Sequence, residues 1–295
     1  MLFPADSPFH PDNSDAYLRW RDEKLAGYPQ RVEDLFVEFK DPLRLSEAEH
    51  AAALARVRKT NMAIYLTPRA GDPDKAIPRT IGQCFGLERL DHNFLADDDA
   101  ITSITINPEG EHPAFIPYTN RAIKWHTDGY YTVGEEKVRA MVLHCVNNAA
   151  EGGENALLDH EVAYILLREH DPDMIRALMA PDVMTIPARL DEDGVARPEV
   201  TGPVFSLDKL GKLHMRYTAR KRNIAWKADA ASRAAVAQLE RLLDGDSPYV
   251  FRAKLPDGAG LLCNNVLHDR AGFNDAPGRK RLLYRARYFE RIAGS

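Results

Sequence analysis

The sequence predicts a mainly β protein with added helices, an α+β chain whose core is a β-sandwich or barrel. Three observations carry that expectation. From residue 101 onward, short runs rich in Ile, Val, Leu and Thr recur between turn residues. Capped helices interrupt these runs without settling into a regular strand–helix alternation. No Gly-rich phosphate loop of either common type is present, which counts against nucleotide binding.

Taken in order, the first forty residues are rich in Pro and aromatics and read as a surface wrap. Ser46-Glu47-Ala48-Glu49 is a capping box that opens a helix bearing Ala53, Leu54 and Val57. Met62 to Leu66 suits a strand. Arg69–Lys75 and Ala96–Ala100 are polar and acidic loops. Ile101, Ile104 and Ile106 with interleaved Thr predict a strand, and Val138 to Val146 predicts another. Gly152-Gly153 marks a turn before a strand at Ala156-Leu157-Leu158. A helix is expected from about Glu161 to Glu169, and a second opens with Asp171 as N-cap and Pro172 at its first position. Short strands are expected near Val183, Val204 and Leu213. Asp229 to Leu243 reads as a helix with Val236, Leu239 and Leu242 on one face and Gly245 just past its end. Strands then return at Tyr249–Phe251, Leu261–Cys263 and Leu282–Phe289.

Composition narrows the class. The 295 residues carry a net charge of −5, with 44% hydrophobic content, enough for a sizeable core and too ordinary for a disordered or collagen-like chain. A mildly acidic chain is a poor general binder of nucleic acid. The opening residues have neither a basic region nor an apolar stretch of signal-peptide length, and no run approaches the roughly 18 apolar residues of a membrane span. Cys84, Cys145 and Cys263 are far apart and odd in number, as expected of free thiols in a reducing compartment. The expectation is a cytoplasmic protein with no nucleic-acid or membrane partner. A homo-oligomer is compatible with the sequence.

The chemistry starts at Trp125-His126-Thr127-Asp128-Gly129. In extended backbone, positions 126 and 128 point to the same side, so an imidazole and a carboxylate share one face, and Gly129 allows an immediate turn. His-x-Asp alone says little, because ten His and 26 Asp yield about one such pair by chance, and His10-Pro11-Asp12 is another. That first pair lies in a Pro-rich stretch without a strand pattern. The second gains force from Leu267-His268-Asp269-Arg270, which lies on another expected strand 140 residues beyond Asp128. Two His and one Asp can occupy one face of a metal and leave the other open, the arrangement associated with non-haem Fe(II) oxygenases. Structural zinc sites usually close all four positions and favour Cys, and these cysteines show no ligand-type pairing.

With WHTD at 125–128 and HDRAGF at 268–273, the chain resembles the taurine dioxygenase-like branch of Fe(II)/2-oxoglutarate-dependent oxygenases over roughly Ile101 to Glu290. The resemblance implies a double-stranded β-helix (jelly-roll) core over 101–290 with helical insertions. The 1–100 part would be mostly helical or irregular, all within a single oxygenase domain spanning 1–295. It implies Fe(II) held by His126, Asp128 and His268, with 2-oxoglutarate and O2 as cosubstrates and succinate and CO2 as products. Arg281, 13 residues past His268, takes the place of the cosubstrate arginine, whose fork suits a carboxylate. Arg285, about 13 Å further along a strand, is assigned to substrate. Arg287 reads as a solvated charge on an edge strand. Gly152-Gly153-Glu154-Asn155 resembles a Gly-Gly-x-Thr turn of the family in which the Thr hydroxyl donates to the cosubstrate. Asn155 stands in that place with an amide that also donates. Asn120, Arg121, Tyr130 and Tyr131 flank the metal motif and are candidate substrate contacts. His144 and His214 read as structural, and Lys221-Arg222 as solvated.

An intact Asp128 favours hydroxylation over halogenation, since halogenating relatives lack the carboxylate. The excess of arginine suggests a small anionic substrate. Two alternatives stay open: an extradiol- or cupin-type Fe(II) oxygenase that does not use 2-oxoglutarate, and a catalytically silent barrel that binds a small acid.

Overall fold

Alternation along the strand Leu282–Tyr288 sorts its residues between two environments. Tyr284, Ala286 and Tyr288 join a buried apolar cluster with Val142 and Val146 of the strand Ala140–Asn147, while Leu283, Arg285 and Arg287 point the other way. The cluster is completed by Ala53 and Val57 of the helix Glu47–Thr60 and by Ile77 and Ile81 of the helix Ala76–Cys84. That second helix reaches the sheet at Gly82, where any Cβ would overlap the Tyr288 hydroxyl.

This computed structural model describes residues 4, 6–92, 96–106, 116–191, 194–222 and 224–295. Residues 1–3 and 5, part of the opening stretch read for a targeting segment, lie outside them. Chain contacts divide the molecule into two compact units, each built from separated stretches.

One unit comprises residues 29–124, 135–157 and 251–295. Its six-stranded sheet runs in the order Phe36–Glu38, Met62–Leu66, Gly260–Cys263, Ala140–Asn147, Leu282–Tyr288 and Thr102–Ile104. The first pair is parallel and the rest antiparallel, with Leu143 facing Leu261 on one side and Arg285 on the other. A second sheet holds the neighbouring strands Phe251–Ala253, Asn155–Leu158 and Leu267–Arg270. The jelly-roll expectation is met. The strand expected at Tyr249–Phe251 instead starts at Phe251, because Val250 N–H turns back to the Ser247 carbonyl at 3.1 Å.

The other unit comprises residues 1–28, 125–134 and 158–250. It carries the helices Ser14–Leu25, His160–His170, Pro172–Leu178 and Ala230–Asp244. The expected caps are in place: Asp171 accepts from Asp173 N–H, with Pro172 opening the helix, and Asp229 accepts from Ser232 N–H. Helix Ser14–Leu25 lies within the first forty residues, which the sequence reading took as a surface wrap. It is fixed by charge: Lys24 Nζ lies 2.8 Å from Asp159 Oδ2 and 2.5 Å from Glu161 Oε2, all three side chains being buried or nearly so. No helix among the described residues is long and apolar enough to cross a membrane.

Candidate metal centre and cosubstrate site

The backbone of Trp125–Thr127 is held extended by Tyr217–Ala219. Ala219 N–H donates to the Trp125 carbonyl at 2.8 Å and Thr127 N–H to the Tyr217 carbonyl at 3.0 Å, and Tyr217 N–H donates to Thr127 Oγ1 at 3.1 Å. Thr127 therefore points into the protein with no exposure, and His126 and Asp128 share the opposite side. Their nearest atoms, His126 Nε2 and Asp128 Oδ1, are 3.8 Å apart. Gly129, at φ +65°, ends the extended run, and its carbonyl accepts from both N–H and Oγ1 of Thr132.

His268 lies in the strand Leu267–Arg270 and is buried. Its Nδ1 is 2.9 Å from the Val266 carbonyl oxygen. A carbonyl only accepts, so Nδ1 carries the proton and Nε2 keeps the lone pair that a metal requires. One ligand atom each from His126, Asp128 and His268 lies within 4.8 Å of the others. Two imidazoles and one carboxylate form a donor set suited to Fe(II), and neither buried cysteine joins it. The residues fit the metal that the sequence implied.

Arg281 immediately precedes the strand Leu282–Tyr288 and is 3% exposed. Its guanidinium stacks on the Phe273 ring at 5.0 Å, with Gly153 packed beside its Nε. The Gly-Gly turn makes this possible. Gly152 pairs with Phe273 at φ +68°, and a Cβ there would overlap the Gly272 carbonyl. The guanidinium forms no hydrogen bond or ion pair among the described residues, its Nε is fully buried, and burial pulls its pKa down. A buried guanidinium without an ion pair offers a fork of donors whose geometry matches a carboxylate.

Arg270 stacks on the same Phe273 ring at 4.9 Å and donates to the carbonyls of Thr119, at 2.8 Å, and Arg121, at 2.5 Å. Burial, helped by the positive charge of Arg281, lowers its pKa to about 9. The sequence reading missed Thr127 and Arg270. Alternation within WHTD could have flagged Thr127, whereas nothing local announces the partners of Arg270.

The remaining expected residues are distributed as follows. Asn155 Nδ2 donates to the Asp269 carbonyl at 2.6 Å, and Asp269 Oδ1 accepts from Ala156 N–H at 2.7 Å, which engages one of the two amide hydrogens beside the His268 strand. Arg285 is buried in the six-stranded sheet, between Leu143 and Thr102. Tyr130 is half-buried, its ring 5.3 Å from that of Tyr131 and 5.9 Å from the Arg220 guanidinium. Asn120 is exposed, and its carbonyl accepts from Phe273 N–H at 3.1 Å. Arg287 corrects the sequence reading: its strand lies inside the sheet and the side chain pairs with Asp91 at 2.5 Å, both groups almost fully buried. His144 is structural as expected, buried against Tyr65 with its Nδ1 3.2 Å from the hydroxyl.

A family model described as "Taurine catabolism dioxygenase TauD, TfdA family" matches residues 23–287. The chain belongs to this family. As a TauD/TfdA-family member it is a non-haem Fe(II)- and 2-oxoglutarate-dependent dioxygenase. A uridine-5'-phosphate dioxygenase of Amycolatopsis is 29% identical over 278 residues, covering 88% of this chain and 98% of the relative. A second uridine-5'-phosphate dioxygenase, from Streptomyces, is 33% identical over 201 residues, covering 64% and 69%. Among solved structures, an asparagine oxygenase in complex with Fe(II), 2S,3S-3-hydroxyasparagine and succinate aligns with a TM-score of 0.57 at 15% identity, covering 82% of this chain and 81% of that one. That last likeness bears on the TauD/TfdA fold.

Proposed function

We propose that this dioxygenase holds Fe(II) through His126, Asp128 and His268, anchors the far carboxylate of 2-oxoglutarate on Arg281, and hydroxylates a small anionic substrate of the nucleoside-phosphate class. The observation that carries the cosubstrate assignment is the buried guanidinium of Arg281, which forms no ion pair among the described residues. The substrate class draws support from the two uridine-5'-phosphate dioxygenases among the relatives.

Fe(II) with 2-oxoglutarate and O2 supplies the oxidising chemistry, with succinate and CO2 as coproducts. The chain supplies orientation and shielding. His268 offers Nε2 because its Nδ1 proton is committed to Val266. Asp128 adds one negative charge to the donor set and, by occupying its position, favours hydroxylation over halogenation. Arg281 receives a carboxylate in a poorly hydrated setting, where a charge-assisted pair is strong. Asn155 firms the strand that carries His268. Arg285, Tyr130 and Asn120 are the proposed substrate contacts.

The test is oxygen-dependent succinate formation from 2-oxoglutarate with uridine 5'-phosphate, uridine or no substrate. Stimulation by the phosphate ester but not by uridine supports the reading. Equal succinate formation in all three overturns the substrate class, and no 2-oxoglutarate consumption under any condition overturns the cosubstrate assignment.

A further inference from the structure

His268 is useful as a ligand only if its ring is turned and protonated correctly, and both depend on where the Val266 carbonyl points. That carbonyl follows a pair of buried asparagines, Asn264 and Asn265, each 2% exposed. Asn265 adopts φ +50°, a left-handed conformation that non-glycine residues rarely hold without local compensation. Here the compensation is visible: its Nδ2 donates to the Val138 carbonyl at 2.6 Å, just before the strand Ala140–Asn147.

Asn264 is gripped from the other side. Its N–H donates to the Asn61 carbonyl at 2.8 Å and its Nδ2 to Asn61 Oδ1 at 3.1 Å, while its Oδ1 accepts from Ile292 N–H at 3.1 Å. Asn61 is itself left-handed, at φ 58°, and closes the helix Glu47–Thr60. The turn before His268 is thus tied to a helix end, to a central strand and to the C-terminal segment.

We infer that Asn265 is a positioning residue for metal binding: its side-chain hold on Val138 keeps the left-handed turn that aims the Val266 carbonyl at His268 Nδ1, and so presents Nε2 to the ion. The inference rests on the reading of His268 as a ligand. Groups that orient metal-bound histidines typically change metal affinity by about 10–100-fold when removed. A residue that only stabilises the fold leaves the affinity of the folded protein unchanged.

The experiment titrates the metal-free full chain with Co(II), following its visible absorption, and measures the thermal midpoint of the same samples. Asn265→Ala loses both the amide and the tolerance for positive φ. Asn265→Gly keeps the backbone freedom and loses only the amide. Co(II) affinity is expected to fall about 10–100-fold in Asn265→Ala, and by a smaller factor in Asn265→Gly. In a His268→Ala background the Asn265 substitutions are expected to have no further effect, because their influence runs through that ring. Wild-type Co(II) affinity in Asn265→Gly and in any Asn265→Ala that folds overturns the inference, however far the thermal midpoint drops. If His268→Ala alone binds Co(II) like wild type, it is the ligand assignment that fails. If His268→Ala loses binding while the Asn265 variants keep it, only the positioning role fails.

Discussion

The guanidinium of Arg281 sits 5.0 Å above the ring of Phe273, buried and forming no ion pair among the described residues. Holding a desolvated cation this way lowers stability until an anion arrives. Arg281→Met should therefore raise the Michaelis constant for 2-oxoglutarate about 10–100-fold, the loss of one charge-assisted contact of roughly 1.5–3 kcal/mol. The thermal midpoint of the protein without cosubstrate should stay level or rise. Steady-state kinetics and a melting curve check the two halves; an unchanged Michaelis constant would remove Arg281 from the site.

His144 gives a prediction about acid. Burial lowers its pKa to about 4 from an ordinary 6.5, with Asp72 pulling weakly the other way. The folded state keeps the ring neutral, so below pH 6.5 the unfolded chain binds the extra proton first. The stability contribution is complete above pH 6.5 and is lost as pH falls towards 4, amounting to about 3 kcal/mol. Urea unfolding across that window should show a shallower pH dependence in His144→Gln than in wild type. Parallel curves would mean that His144 is not held neutral.

Lys24 pairs with both Asp159 and Glu161, and Asp159 is fully buried. Lys24→Met leaves two carboxylates close together with their neutralising charge gone, a change that typically costs about 3–5 kcal/mol. The denaturation midpoint should drop accordingly. A drop below about 1 kcal/mol would place this cluster among weak surface pairs.

The sequence announced what is local. Ser46, Asp171 and Asp229 mark helix starts through hydrogen bonds within three residues, and WHTD needs only strand alternation to bring His126 and Asp128 to one side. His268 became legible through its own short motif. What stayed hidden depends on distant partners. Helix Ser14–Leu25 buries only Tyr17 and Lys24 along its length, so it shows little apolar periodicity and docks through charges 135 or more residues away. Arg287 looked like an edge charge because strand order within a sheet leaves no trace in a strand's own residues; its partner Asp91 lies in another part of the chain. The hold of Arg270 on the carbonyls of Thr119 and Arg121 is unreadable for the same reason, since backbone acceptors carry no side-chain signature.

The central claim is that His126, Asp128 and His268 bind one ferrous ion to which 2-oxoglutarate attaches while Arg281 holds its far end. Anaerobic titration of the purified chain with Fe(II) and 2-oxoglutarate, followed by visible absorption, tests it most directly. The account predicts a metal-to-ligand charge-transfer band that saturates at one iron per chain, disappears in Asp128→Ala and needs more 2-oxoglutarate in Arg281→Met. Absence of the band in wild type under conditions where Fe(II) is bound would contradict it.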